Sequence, residues 1–227
     1  MSADVGAEEP VRQCCRDSAP DPAPRTPEGL NPADAVSRGG MRVFGFAEAD
    51  VPAALAGQVA ALEAAAWPGS SPGHDPALAP RVMLLADGAG TVAAALALLH
   101  KDIEVADRTY RAAGLSGVVT RAELRGRGFG GRLVAAARTA LAAEGAVDLA
   151  LFSCDRPLVP FYAAAGFTEL PGTVLVGGTP GEPLATDRPG FDKAVVAAFF
   201  TAAPEADRTA FTGVRVPLYP GNTDRLW

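Results

Sequence analysis

Apolar positions along the chain keep two rhythms, one of period two and one of period near four, and the switches between them mark the elements. Met41 opens a strand-like run, Arg42-Val-Phe-Gly-Phe46. Asp50 as N-cap and Pro52 in the first turn predict an alanine-rich helix reaching Ala66. The Pro/Gly-rich stretch Trp67 to Pro80 reads as a loop. Arg81 to Ala86 and Thr91 to Glu104 then read as two strands around a tight turn, Asp87-Gly-Ala-Gly90, and Thr109 to Thr120 as a third. From Phe129 to Ala143 the residues Leu133, Ala137 and Leu141 recur every four positions, which puts them on one face of a helix. Ala146 to Ser153 reads as a short buried strand and Pro157 to Ala165 as a short helix stopped by Gly166. Beyond Phe167 the pattern predicts strands at Thr173–Val176 and Thr212–Leu218 and a helix over Phe191–Phe200.

Residues 1–40 carry neither rhythm and are rich in Pro, Gly and charge, so they bury too little apolar surface to offset the entropy of ordering and read as a disordered tail. Residues 41–227 are left as one domain. A length of 227 residues with 48% hydrophobic content suffices for one substantial core. The formal net charge of -6 argues against nucleic acid as a partner and suits a cationic small molecule. Cys14, Cys15 and Cys154 form neither a disulfide framework nor a zinc pattern, which predicts a reducing compartment and no metal. The longest apolar run, Val92–Leu99, is far below membrane-spanning length, and Met1–Pro20 has no signal-peptide pattern, so a cytoplasmic protein without a membrane partner is expected. A homodimer stays open.

The candidate chemistry lies between the third hairpin strand and the periodic helix, in Arg125-Gly-Arg-Gly-Phe-Gly-Gly131. A helix start offers unpaired backbone N–H groups and the positive end of its dipole, and glycines let an anion approach the main chain. Arg125, Arg127 and Arg132 add charge suited to phosphate oxygens. The string Gly126-x-Gly128-x-x-Gly131 also fits the dinucleotide fingerprint. Against that reading, Arg121-Ala-Glu-Leu124 separates it from its strand, three strands precede it, and Asp148 begins the next strand instead of ending it.

Arg125-x-x-Gly128-x-Gly130 resembles the acyl-CoA signature of the GNAT superfamily of N-acetyltransferases, and Phe161-Tyr-Ala-Ala-Ala-Gly-Phe167 resembles its second block. The resemblance implies an α/β (α+β) fold with a mixed, mostly antiparallel sheet flanked by helices, and acetyl-CoA as co-substrate. It also implies that the main chain of Val118, Val119 and Thr120 pairs with the pantetheine arm, while Arg125, Gly126, Arg127, Gly128, Phe129, Gly130 and Gly131 hold the diphosphate. Tyr162 matches the position that protonates the departing thiolate, a task suited to a phenol. Within the superfamily, Ala113–Arg121, Ser153-Cys154 and the closing Asp224-Arg-Leu-Trp227 are most similar to aminoglycoside 2'-N-acetyltransferases. That likeness implies a polycationic amino sugar as acceptor, with Ser116, Ser153, Cys154, Asp224 and the Trp227 carboxylate near it. Ser116 stands where that family carries a glutamate, so the general base falls to Glu104, Asp102, His100 or the Trp227 carboxylate. Acetylation of a protein lysine, an N-terminus or another small amine, and a noncatalytic acyl-CoA-binding module, are the alternatives.

Overall fold

The computed structural model of the chain describes residues 40–70, 73–179 and 181–218. The expected tail, apart from its last residue, and the segment with Asp224 and Trp227 lie outside the described residues. Within them, the elements run β1 (Arg42–Ala47), α1 (Ala53–Ala66), β2 (Arg81–Ala86), β3 (Val92–Val105), β4 (Arg108–Thr120), α2 (Phe129–Glu144), β5 (Leu149–Asp155), α3 (Val159–Ala164), β6 (Thr168–Glu169), β7 (Val174–Gly178), β8 (Pro183–Ala185), β9 (Lys193–Phe199), α4 (Pro204–Phe211) and β10 (Arg215–Pro217).

Seven strands make one sheet in the order β1-β2-β3-β4-β5-β9-β6, and β10-β7-β8 make a second. All ladders of the large sheet are antiparallel except that of β4 with β5. The sheet is therefore mixed and mostly antiparallel, with helices on both faces.

The four-residue rhythm of α2 explains one face. Leu133, Val134, Ala137 and Leu141 pack with Leu96, Leu98, Ala113, Leu115 and Phe152. Leu133 and Leu141 are essentially fully buried, and each stabilises the fold by about 1.5–3 kcal/mol. The opposite face is covered in two patches. Leu55 of α1 packs with Phe44, Leu84, Ala95 and Val119; Leu175, Phe211 and Val216, from the small sheet and α4, pack with Leu99, Tyr110, Leu151 and Val195. Ser116, paired with Ala97, stands at the seam between those patches. Gln58 ties α1 to the start of β3 and the end of β4: its amide donates to Gly90 O at 2.9 Å and accepts from Val92 N–H at 3.0 Å and from Arg121 Nη2 at 3.1 Å.

The helix expected over Phe191–Phe200 is instead strand β9, lying between β5 and β6. Ala194, Val196 and Ala198 face the α2 side while Val195 and Ala197 face the other. A strand buried on both faces carries no alternation, and its alanines mimic helix composition. The helix of this region is α4, one turn further on, and the final strand is shortened to Arg215–Pro217.

Candidate active site

The site is built on the far half of β4. Its ladder to β5 consists of Ala112 with Leu149 and Ala113 with Ala150, and no ladder pair joins the two strands beyond that point. Just before it, Asp148 clamps Arg111. Its Oδ2 accepts the Arg111 backbone N–H at 2.8 Å, its Oδ1 takes Nη2 at 3.1 Å, and its own N–H donates to Arg111 O at 2.7 Å. Past Ala113, one edge of β4 is thus left without a β5 partner, which offers backbone hydrogen-bonding groups to an extended ligand.

On its other edge β4 bulges. Ala97 pairs with Ser116 and Ala95 with Val119, so Gly117 and Val118 together stand against Leu96. Gly117 sits at φ +57°, and a Cβ there would lie 2.8 Å from Glu63 Oε1 on α1. Glycine is needed both for the left-handed backbone and for the approach of that carboxylate. Val118 packs toward the α2 core and Val119 under α1. Val119, Thr120, Arg121 and Arg125 line, with Gln58 and Leu62 of α1, a cleft of about 310 Å³.

After Thr120 the chain makes a short 3₁₀ turn, Ala122–Leu124, and enters α2 through Gly128 in the left-handed conformation. The Phe129, Gly130 and Gly131 N–H groups open the helix, where geometry leaves them no intrahelical acceptor. A Cβ on Gly130 would stand 2.6 Å from Thr120 Oγ1 and 3.5 Å from Phe161 Cζ, so glycine is what lets α2 seat against β4 and α3. The three arginines divide their work. Arg125 Nε donates to Thr120 O at 3.2 Å and Arg132 Nη2 to Met41 O at 2.7 Å, whereas Arg127 is exposed beside the helix start. Arg132 thereby braces the helix against the start of β1, and Arg127 keeps its charge at the surface.

Ser116 is buried, and its Oγ lies 3.1 Å from Nε2 of His74, itself buried. Nδ1 of His74 lies 2.6 Å from Glu48 Oε1, and the His74 backbone N–H donates to Glu48 Oε2 at 3.1 Å. Neither His74 nor Glu48 is singled out by the sequence. His74 falls in the Pro/Gly-rich loop and Glu48 in the short turn after β1, so neither belongs to a local motif; that the chain holds two histidines is the one signal that could have led to His74.

Tyr162 on α3 is 3% exposed and packed edge-on against Phe152 and Phe161 at 4.9 Å each. Phe161 in turn meets the start of α2, which brings α3 to the glycine loop. Ser153 and Cys154 lie on β5 opposite Val195 and Ala194. Burial pushes the Cys154 thiol up to about 11, which keeps it protonated and unreactive at neutral pH. The candidates on β3 go elsewhere. Glu104 pairs with Thr109, Asp102 with Arg111 and His100 with Ala113. From Thr109 to Ser116 is seven positions, roughly 23 Å of strand, so Glu104 on β3 lies that far along the ladder from Ser116. The His100 ring lies 3.3 Å from Ala79 O, and burial lowers its pKa. Among the described residues no group of three His, Cys, Asp or Glu side chains is gathered as a metal would need, and no helix is long and apolar enough to cross a membrane.

Residues 47–170, more than half of the chain, match the family described as the acetyltransferase (GNAT) domain. The chain belongs to the GNAT family. It is accordingly an acetyl-CoA-dependent acyltransferase. Escherichia coli ElaA is 16% identical in a superposition covering 69% of this chain and 98% of that one, with a TM-score of 0.50, which shows a shared fold. The GNAT family N-acetyltransferase YhbS from Escherichia coli, solved in complex with CoA, is 16% identical over 61% of this chain and 67% of its own, with a TM-score of 0.42. No curated protein matches the sequence.

For a GNAT enzyme the residues present fit acetyl-CoA as substrate. The edge of β4 that has no β5 ladder past Ala113 suits an extended amide-bearing arm, and the start of α2 with Arg127 suits its diphosphate. Ser116, Val118, Val119, Thr120 and the glycine loop converge here, and α3 adjoins the loop. Glu104, Asp102 and His100 lie along the other half of the β3–β4 ladder.

Proposed function

We propose that this enzyme transfers the acetyl group of acetyl-CoA, by direct attack, to a primary amine of a small polycationic amino sugar of the aminoglycoside kind. The observation that carries the reading is the pair of carboxylates, Glu48 and Glu63, brought to the open half of β4 from the turn after β1 and from α1. One stands behind Ser116 and the other over Gly117, next to the backbone expected to hold the thioester. Carboxylates there attract a cationic amine and hold it near the acyl carbon, in keeping with the net charge of -6.

In this reading the main chain of Val118–Thr120 aligns the pantetheine arm, and a backbone N–H there faces the thioester carbonyl as negative charge builds on its oxygen. The diphosphate lies on the start of α2, against Arg127. Neutral amine attacks the carbonyl carbon, the C–S bond breaks, and the Tyr162 hydroxyl gives its proton to the departing sulfur. The second amine proton then restores the phenol. Packing of Tyr162 against Phe152 and Phe161 holds the ring in place.

The test is release of CoA from acetyl-CoA across aminoglycosides, simple polyamines and lysine-containing peptides, with wild-type enzyme and Tyr162→Phe. Acetylation of aminoglycosides in preference to the rest is expected, with turnover of Tyr162→Phe reduced about 10- to 100-fold at unchanged acetyl-CoA affinity. A preference for peptides would overturn the amino-sugar acceptor, and full turnover in the variant would remove the role of Tyr162.

A further inference from the structure

We propose that Glu48, His74 and Ser116 form a proton relay that strips the acceptor's ammonium group for attack. The proposal rests on the reading that the acceptor is an amine. Its basis is a chain of three residues joined by two side-chain contacts, ending on the half of β4 expected to hold the thioester.

The directions of the hydrogen bonds follow from chemistry. The carboxylate of Glu48 accepts only, so Nδ1 of His74, 2.6 Å away, must carry a hydrogen. In the neutral ring Nε2 is then an acceptor, and the partner at 3.1 Å is the Ser116 hydroxyl, which donates to it. Glu48 is held by more than its side chain. Its N–H donates to Pro80 O at 2.9 Å, and its second oxygen takes the His74 backbone N–H at 3.1 Å. With its side chain 2% exposed, His74 meets water poorly, and Ser116 connects it to the strand that precedes Gly117 and Val118.

The proton count closes. An ammonium group gives one proton to Ser116 Oγ as Ser116 passes its own hydroxyl proton to His74 Nε2. The imidazolium is stabilised by Glu48, and the lone pair freed on nitrogen forms the C–N bond. After the amide product departs the proton returns from His74 through Ser116 to the emptied site and its water, which matches the net release of one proton when a protonated amine is acetylated and the thiol leaves protonated. Ser116 touches the amine and is the catalytic residue; His74 and Glu48 are positioning residues that act through it.

A purely structural staple, tying the loop before β2 to β4, would use the same contacts, so the test must separate the two. Turnover is measured with whichever amine of the panel wild-type enzyme acetylates, for wild type, Ser116→Ala and His74→Gln, at pH 7 and at about pH 9.5. Acetyl-CoA affinity is measured in parallel by calorimetry. The groups named here as facing the relay are Glu48 from the β1–α1 turn, Ser116 from β4 and, over the adjacent Gly117, Glu63 from α1. The relay predicts about a 100-fold loss in kcat at pH 7, shrinking below about fivefold at the higher pH as the amine supplies its own neutral form, with acetyl-CoA affinity unchanged. Ser116→Ala removes one oxygen and keeps the fold even if His74→Gln does not. An equal loss at both pH values, or no loss in Ser116→Ala, overturns the relay and leaves the amine reading standing. Acetyl found covalently on Ser116 after incubation with acetyl-CoA alone overturns it in favour of a two-step transfer. CoA release with no amine, while acetyl-CoA still binds, overturns the amine reading and the relay with it.

Discussion

The two halves of β4 are made from one continuous strand and yet do opposite things. From Arg108 to Ala113 the strand is closed: β3 pairs with it throughout, and β5 joins its other edge at Ala112 and Ala113. Asp207, 4% exposed, accepts from Arg108 Nη1 at 2.7 Å, from the Tyr110 hydroxyl at 2.9 Å and from Thr201 Oγ1, while Asp148 clamps Arg111. From Ser116 to Thr120 the same strand loses its β5 partner, bulges at Gly117 and gathers carboxylates, a buried histidine and the start of α2. The lesson is that the Asp148 and Asp207 contacts and the short β5 ladder anchor one half of the strand, and the bulged half is carried away from β5 on that anchor.

The sharpest way to break the contrast is to straighten the open half. In Gly117→Val a β-branched residue is forced to φ +57° with its Cβ against Glu63, and the bulge is expected to shift. Turnover of acetyl-CoA should fall about 100-fold, equivalent to about 2.7 kcal/mol of barrier, measured as steady-state CoA release. Next in size is the closed half. Asp207→Asn places an amide among three donors and should lower stability by about 2 kcal/mol, read by thermal melting, with acetyl-CoA affinity unchanged in the folded protein. If Asp207→Asn instead weakens acetyl-CoA binding, the two halves are not independent.

Smallest is Asp148→Asn. The hydrogen bond from Arg111 holds the Asp148 carboxyl below the usual carboxylate range. A lowered folded-state pKa contributes stability above the unfolded value, near 4, that disappears as pH falls through the folded value. The pair is partly exposed, so the difference at pH 7 should be below about 1 kcal/mol. The gap in melting temperature between wild type and variant should narrow as pH falls below the unfolded value, about 4. A gap that persists there would assign the stability to packing rather than to charge.

The sequence made the first two-thirds of the fold legible because each element there declares itself locally. The four-residue spacing of Leu133, Ala137 and Leu141 announces α2, and the glycines before it announce a backbone that side chains cannot adopt. The strand β9 did not declare itself, because Lys-Ala-Val-Val-Ala-Ala-Phe is covered on both faces and its identity comes from neighbours remote in sequence. The site divides the same way. The glycine loop is a local requirement, whereas Glu48, His74 and Ser116 are 26 and 42 residues apart and meet only because α1 and the loop after it fold back onto β4.

The placement of β9 also bears on where this enzyme can be cut. The matched family segment ends at residue 170, but the strand that sits between β5 and β6 comes from Lys193–Phe199. A fragment ended at the family boundary would lose the sixth of the seven strands, leaving β6 without its pairing partner and β5 with an exposed edge prone to self-association. Expression boundaries for this chain therefore belong beyond Phe199, and an apparently modest trimming would produce aggregate instead of a smaller enzyme.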